Sequence, residues 1–148
     1  MNRRIILLVV LAPILVFIGC EDTSLPNVLS LSSLEGTWAF PDQGGYTDIT
    51  VFVMPDDATS AAADIGWTDG TCSYWTWGSG SYSNGVITGT YDFNCDDSSE
   101  DNLDTSGLEL SIQITFTLDE NNRLSFTCSG SGPLNGKSFA NGVLQVSP

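Results

Sequence analysis

The sequence contains no histidine. The chain therefore lacks the Ser-His-Asp triad, the commonest general base and the usual zinc ligand. Acidic residues are plentiful, but the sequence does not place any two of them together as the pair of carboxylates that an active site would need. We expect a protein that is not an enzyme and that uses no cofactor and no metal.

Basic residues are also scarce, since four Lys and Arg stand against 18 Asp and Glu. Arg3 and Arg4 lie in an N-terminal segment with the features of an export signal. Its removal would leave two bases, Arg123 and Lys137, against 18 acids, a formal charge of −16. Such a surface repels the phosphates of nucleic acids. Nucleic acid is therefore excluded as a partner, and an acidic, solubilising surface is the simplest interpretation.

The chain shows no convincing helix of roughly ten residues or more after the N-terminal segment. Short β-prone segments alternate instead with Gly, Asn and Asp turns. The clearest strand is Leu108 to Leu118, in which apolar and polar residues alternate strictly. The pattern predicts an all-β fold, an antiparallel up-and-down meander that closes into a barrel of about eight strands.

The first 19 residues have the features of a signal peptide. A basic start, MNRR, precedes an apolar run from Ile5 to Ile18. The run falls short of the roughly 18 to 20 residues that a membrane-spanning helix needs. An ordinary cleaved signal, or an uncleaved anchor, would account for it.

The tetrad Phe17-Ile18-Gly19-Cys20 resembles the lipobox of bacterial lipoproteins. The resemblance implies cleavage before Cys20, acylation of Cys20 with palmitate-type chains, and stable anchoring in a membrane. Glu21, in place of Asp, implies sorting to the outer membrane. The domains are then a signal peptide (1–19), a lipidated cysteine with its tether (20–33) and a β-barrel domain (34–148). In the tether, Leu25, Val28 and Leu31 could form one helical turn or a short plug.

The barrel domain opens with Leu34-Glu35-Gly36-Thr37-Trp38. This Gly-x-Trp pattern resembles the lipocalin superfamily, and more closely the short lipocalin-like domains of bacterial lipoproteins. The resemblance implies that Trp38 packs across the closed end of the barrel and that the domain binds a small hydrophobic ligand. A Trp that begins the first strand of some other β-domain remains the alternative.

Two segments lie between this opening and the central hairpin. Residues 47–54 predict a strand with apolar side chains on both faces, and Pro55 to Asp64 predicts a loop. Residues 65–67 could form a short strand or a rim loop. Trp67 in that segment is a candidate for ligand or partner binding.

The segment from Cys72 to Cys95 predicts a long β-hairpin that turns at Asn84-Gly85, because both turn positions require a positive φ. A two-residue turn pairs Gly80 with Gly89. The face predicted to lie in the core carries Cys72, Tyr74, Tyr82, Ile87, Tyr91, Phe93 and Cys95.

The other face of this hairpin carries Trp75 and Trp77 among small polar residues. Either the two rings form an exposed platform for a ligand or partner, or a bulge at residues 78–80 reverses the register and buries them.

Four cysteines are present. With Cys20 acylated, three remain in an oxidising compartment. The hairpin register places Cys72 and Cys95 diagonally on one face, where a small bulge would allow a disulfide. We predict a Cys72–Cys95 disulfide and a buried free thiol at Cys128.

The acidic segment 96–107 lacks the ligand order of an EF-hand and predicts a solvated loop. Two functions remain. The first is an envelope-anchored lipoprotein with a non-catalytic lipocalin-like domain that binds a small hydrophobic ligand. The alternative is a structural or assembly lipoprotein that binds another envelope protein through an exposed aromatic face.

Overall fold

Eight antiparallel strands form a closed barrel, in which each strand pairs with the next one along the chain and β8 closes on β1. The structure, a computed structural model, describes residues 29–97 and 108–145, with the backbone alone for Asp97. The strands are β1 (Gly36–Ala39), β2 (Thr47–Pro55), β3 (Ser60–Thr68), β4 (Cys72–Ser83), β5 (Val86–Asp97), β6 (Leu108–Leu118), β7 (Leu124–Gly130) and β8 (Ser138–Leu144). The predicted all-β meander barrel is confirmed.

Alternation of side chains separates the barrel interior from its outer wall. Along β6, Leu110, Ile112, Ile114 and Phe116 are buried, and the residues between them are exposed. Burial of this face removes apolar surface from water and drives closure. The interior is filled by side chains from every strand, including Trp38, Val51, Val53, Ala61, Ile65, Ile87, Tyr91, Phe126, Cys128 and Phe139.

One end of the barrel is closed by the chain that enters β1. A 3₁₀ helix, Leu31–Ser33, buries Leu31, and Leu34 after it is fully buried. The Trp38 indole Nε1 donates a hydrogen bond of 2.8 Å to the Leu34 carbonyl oxygen. Trp38 therefore lies at this closed end, and Leu31 belongs to a plug, whereas Leu25 and Val28 lie outside the described residues.

The β4–β5 hairpin has the predicted register. It runs without interruption from the Cys72–Asp97 pair to the Ser83–Val86 pair. A Cβ atom on Gly89 would lie 2.2 Å from the Ser79 carbonyl oxygen, so the two strands approach closely only because glycine stands there. Within this hairpin no bulge forms at residues 78–80.

One local prediction, the loop from Pro55 to Asp64, is wrong. Residues 60–64 belong to β3 and not to a loop, and the turn between β2 and β3 spans only residues 56–59. Ala61 and Ala63 point into the barrel, where pairing with strands on both sides outweighs the low β-propensity of alanine. Within the described ranges, no helix has the length and apolar character that a membrane crossing requires.

Candidate binding surfaces

The outer wall of β2, β3 and β4 carries a cluster of large apolar side chains. Phe52 on β2 faces Asp64 on β3, which in turn faces Trp77 on β4. Phe52 is 41% exposed and Trp77 is 57% exposed, and Met54, two residues beyond Phe52, is 48% exposed. We name these four residues, Phe52, Met54, Asp64 and Trp77, the outer aromatic patch.

The outer aromatic patch encloses a small pocket. Its volume is about 200 Å³, and its lining consists of Phe52, Met54, Ala62, Ala63, Asp64 and Trp77. Two rings, a thioether and the Ala62 side chain surround a single carboxylate. The pocket is therefore a largely apolar site with one negative charge, and it is large enough for a single side chain.

Trp75 and Trp77 both lie on the outer wall, because no bulge interrupts β4. Trp75 faces Gly66 on β3 and is half-buried. Of the two predicted platform residues, Trp77 is therefore the more exposed.

Trp67 lies inside the barrel, unlike Trp75 and Trp77. It is 3% exposed, and its ring stacks on Tyr74 with centroids 5.2 Å apart and planes at 14°. Phe93 lies 6.1 Å from Trp67 and 6.0 Å from Tyr74. These three rings, the mouth cluster, stand at the end of the barrel opposite the 3₁₀ helix, and Tyr74 and Phe93 are partly exposed there.

Two hydroxyl groups in the interior have no hydrogen-bond partner in the described part of the chain, those of Thr76 and Tyr91. Both residues are fully buried, and Thr76 faces Phe93 of the mouth cluster. Burial and the nearby Cys128 thiol raise the pKa of Tyr91, and burial raises the pKa of Cys128 to about 12. A buried hydroxyl without a partner is costly, so a polar ligand atom that reached either group would gain a hydrogen bond.

The Asp64 carboxylate is the charged group of the outer aromatic patch. Its side chain is exposed on the outer wall, and partial loss of hydration among its neighbours raises its pKa. The Asp64 carboxylate is therefore accessible to a group from outside the protein.

The predicted Cys72–Cys95 disulfide is not formed, since Cys72 is a thiol. Cys72 faces Asp97 and Cys95 faces Tyr74, so the two cysteines are offset by one cross-strand step. The small bulge that would bring them together is absent from this hairpin. Cys128 faces Ile114 and is a buried free thiol, as predicted, whereas Cys20 lies outside the described residues.

A more open groove of about 780 Å³ lies over the junction of β1 and β8. Its lining mixes apolar residues with Asp119, Asn121, Arg123, Asn141 and Gln145. None of the binding residues predicted from sequence lies in it.

Among the described residues, no three His, Cys, Asp or Glu side chains come together as a metal-binding group. Comparisons with protein-family models, with curated proteins and with solved structures give no match to this chain. Phe52, Met54 and Asp64 were not predicted as site residues. The apolar outer face of residues 47–54 is the sequence signal that could have indicated the first two.

Proposed function

We propose that this protein is a non-catalytic, envelope-anchored bacterial lipoprotein whose barrel binds another envelope protein through the outer aromatic patch. The observation that carries the proposal is the joint exposure of Phe52 and Met54 on β2 and of Trp77 on β4, the two strands that flank β3. Contiguous apolar groups on an outer wall are typical of interaction sites, and Trp is enriched among the residues that dominate binding energy.

The packed interior supports a surface site over an internal one. An eight-stranded barrel is narrow enough to be filled by its own side chains, and the inward residues here are almost all fully buried. Burial of Phe52, Met54 and Trp77 against a partner would contribute about 1.5 to 3 kcal/mol for each fully covered side chain.

The short length of chain between Cys20 and the barrel supports an anchor beside its closed end. Nine peptide units separate Cys20 from Leu29, a contour of at most about 30 Å. Tyr82 donates a hydrogen bond to the Leu29 carbonyl oxygen at the closed end of the barrel. An acylated Cys20 would thus hold the closed end near the membrane. The anchoring is tested by a Cys20→Ala variant, which should be released from the outer-membrane fraction.

The partner site is tested by site-specific photocrosslinking in intact cells. A benzophenone amino acid replaces Trp77, and the matched control carries it at Gln113, an exposed position on the outer wall of β6. We expect a discrete crosslinked species from position 77 that is lost when Phe52→Ser is added. Equal crosslinking from both positions, or none from position 77, would contradict the proposal.

A small hydrophobic ligand at the mouth is the second candidate function. The partly exposed rings of Tyr74 and Phe93, above the unpartnered hydroxyls of Thr76 and Tyr91, favour it. Titration with fatty acids of graded length, followed by Trp fluorescence, tests this candidate. A saturable change that Trp67→Phe abolishes and Trp77→Phe preserves would support it, and no change with any chain length would exclude it.

A further inference from the structure

Asp64 stands at the centre of the outer aromatic patch, between two aromatic residues. The register places Phe52 directly across on β2 and Trp77 directly across on β4. Residues that face each other across antiparallel strands have Cβ atoms about 4.5 to 5.5 Å apart. A single carboxylate is therefore held within reach of both rings.

The protein supplies no cation of its own to this carboxylate from the described residues. Lys137 donates a hydrogen bond to the Tyr46 hydroxyl, and its Nζ lies 4.2 Å from the Tyr46 ring centroid. Arg123 immediately precedes β7, which is four strands from β3 around the barrel. The exposed carboxylate of Asp64 is left for an external group.

The pocket of about 200 Å³ has the chemistry that a basic side chain requires. The methylenes of Arg or Lys pack on apolar surface such as Phe52 and Met54, while the cationic head stays polar. A guanidinium group stacks on an aromatic face such as Trp77 and pairs with a carboxylate in two parallel hydrogen bonds.

The charge of each possible binding partner determines which of them fits the outer aromatic patch. A second copy of the chain brings its own acidic surface, and an anionic membrane surface is repelled in the same way. A purely apolar ligand would cover Asp64 and leave its charge buried without a counter-charge. A basic protein segment is attracted over a long range and neutralises Asp64 on contact.

We propose that the outer aromatic patch binds a basic side chain of its protein partner, arginine in preference to lysine. Asp64 pairs with the guanidinium group, Trp77 stacks on it, and Phe52 with Met54 covers its methylenes. The proposal rests on the proposed function and adds the chemistry of the partner.

The sequence offers a specific probe for the test. The chain has two methionines, and one of them, Met1, lies in the signal peptide. Full-length processed protein in detergent micelles, labelled at its methionine methyl groups, should give one NMR signal, from Met54 in the patch. The probes are N-acetyl-Leu-Arg-Leu-amide and the matched peptide with citrulline, which has the shape of arginine without its charge.

We expect the arginine peptide to shift the Met54 signal saturably and to bind at least tenfold more tightly than the citrulline peptide. Asp64→Asn should reduce the preference to less than twofold. The matched control is Asp92→Asn, on the other side of Trp77 in the same cross-strand row, which should keep most of the preference. Equal binding of the two peptides, or equal losses in both variants, would overturn the inference.

Photocrosslinking separates this inference from the proposed function. If Asp64→Asn leaves the crosslink from position 77 at its full yield, the basic side chain is excluded and the protein partner stands. If the protein with benzophenone at position 77 and no other substitution gives no crosslink, the proposed function fails. Urea unfolding of Asp64→Asn serves as the folding control, and we expect no loss of stability because the substitution removes an uncompensated charge.

Discussion

The indole Nε1 of Trp38 donates a hydrogen bond of 2.8 Å to the carbonyl oxygen of Leu34, inside the closed end of the barrel. The bond joins the first strand to the segment that enters it, and both residues are almost completely buried. Trp38 thus fills space in the barrel and also satisfies a carbonyl group that water cannot reach.

Trp38→Phe should destabilise the fold, because it leaves the buried Leu34 carbonyl unpaired and opens a small cavity. We expect a loss of about 2 to 4 kcal/mol in the free energy of unfolding. Urea denaturation of the full-length protein in detergent measures it. Trp77→Phe is the matched control on the exposed wall, with an expected change below about 0.5 kcal/mol. Similar losses in both variants would show that the Trp38 hydrogen bond contributes little.

Gly89→Ala should disrupt the β4–β5 hairpin. The added Cβ would lie 2.2 Å from the Ser79 carbonyl oxygen and 2.8 Å from the Gly80 Cα, and both are backbone atoms. We expect a loss of at least about 2 kcal/mol in urea unfolding. The control is Gly66→Ala, whose Cβ would lie 3.1 Å from the Thr50 Oγ1, a side-chain atom that can rotate away. A larger effect at Gly66 than at Gly89 would contradict this explanation.

Cys128 should be chemically inert in the folded protein. Burial raises the pKa of its thiol to about 12, so on the order of one molecule in ten thousand carries the thiolate at pH 8. In a Cys20→Ala/Cys72→Ser/Cys95→Ser variant, we expect no thiol to react with an aromatic disulfide reagent until urea is added, and then one. Reaction at the rate of a free thiol before unfolding would show that Cys128 is accessible.

Asp69 should make stability depend on pH in the acid range. Its carboxylate accepts hydrogen bonds from the backbone N–H groups of Cys72 and Thr71, each at 3.0 Å, and from the Tyr74 hydroxyl at 2.8 Å. These hydrogen bonds lower the pKa of Asp69, and the bond from the Cys72 N–H has the largest effect.

A carboxyl group whose pKa is lowered by folding stabilises the protein above its unfolded pKa, about 3.9 for Asp. The contribution disappears as the pH falls through the lower pKa of the folded state. The melting temperature of Asp69→Asn should therefore lie below that of the wild type at pH 7, and the gap should narrow below pH of about 4. A gap that is constant from pH 7 to about 2 would exclude ionisation of Asp69 as its cause.

The central hairpin was predictable in detail because its information is local. Asn84-Gly85 selects a two-residue turn, and the turn determines every pair up to Cys72 with Asp97. The alternation along Leu108 to Leu118 is equally local and led directly to β6. Residues 60–64 carry no such signal, and they form a strand because β2 and β4 pair with them on both sides.

The sequence by itself determined the all-β class and the position of the hairpin turn, since each depends on residues that are close along the chain, whereas the uninterrupted β4–β5 pairing decided that Trp77 points outward. The tertiary structure alone decided that Phe52, Asp64 and Trp77 share one row, because that row requires the registers of three strands at once. The same closure placed Trp67 inside the barrel, since the position of β3 between β2 and β4 sets which of its faces is covered. The alternation of side chains along a strand determines which of them share a face of the sheet. Only the pairing of strands in the closed barrel determines which side chains from different strands lie next to each other.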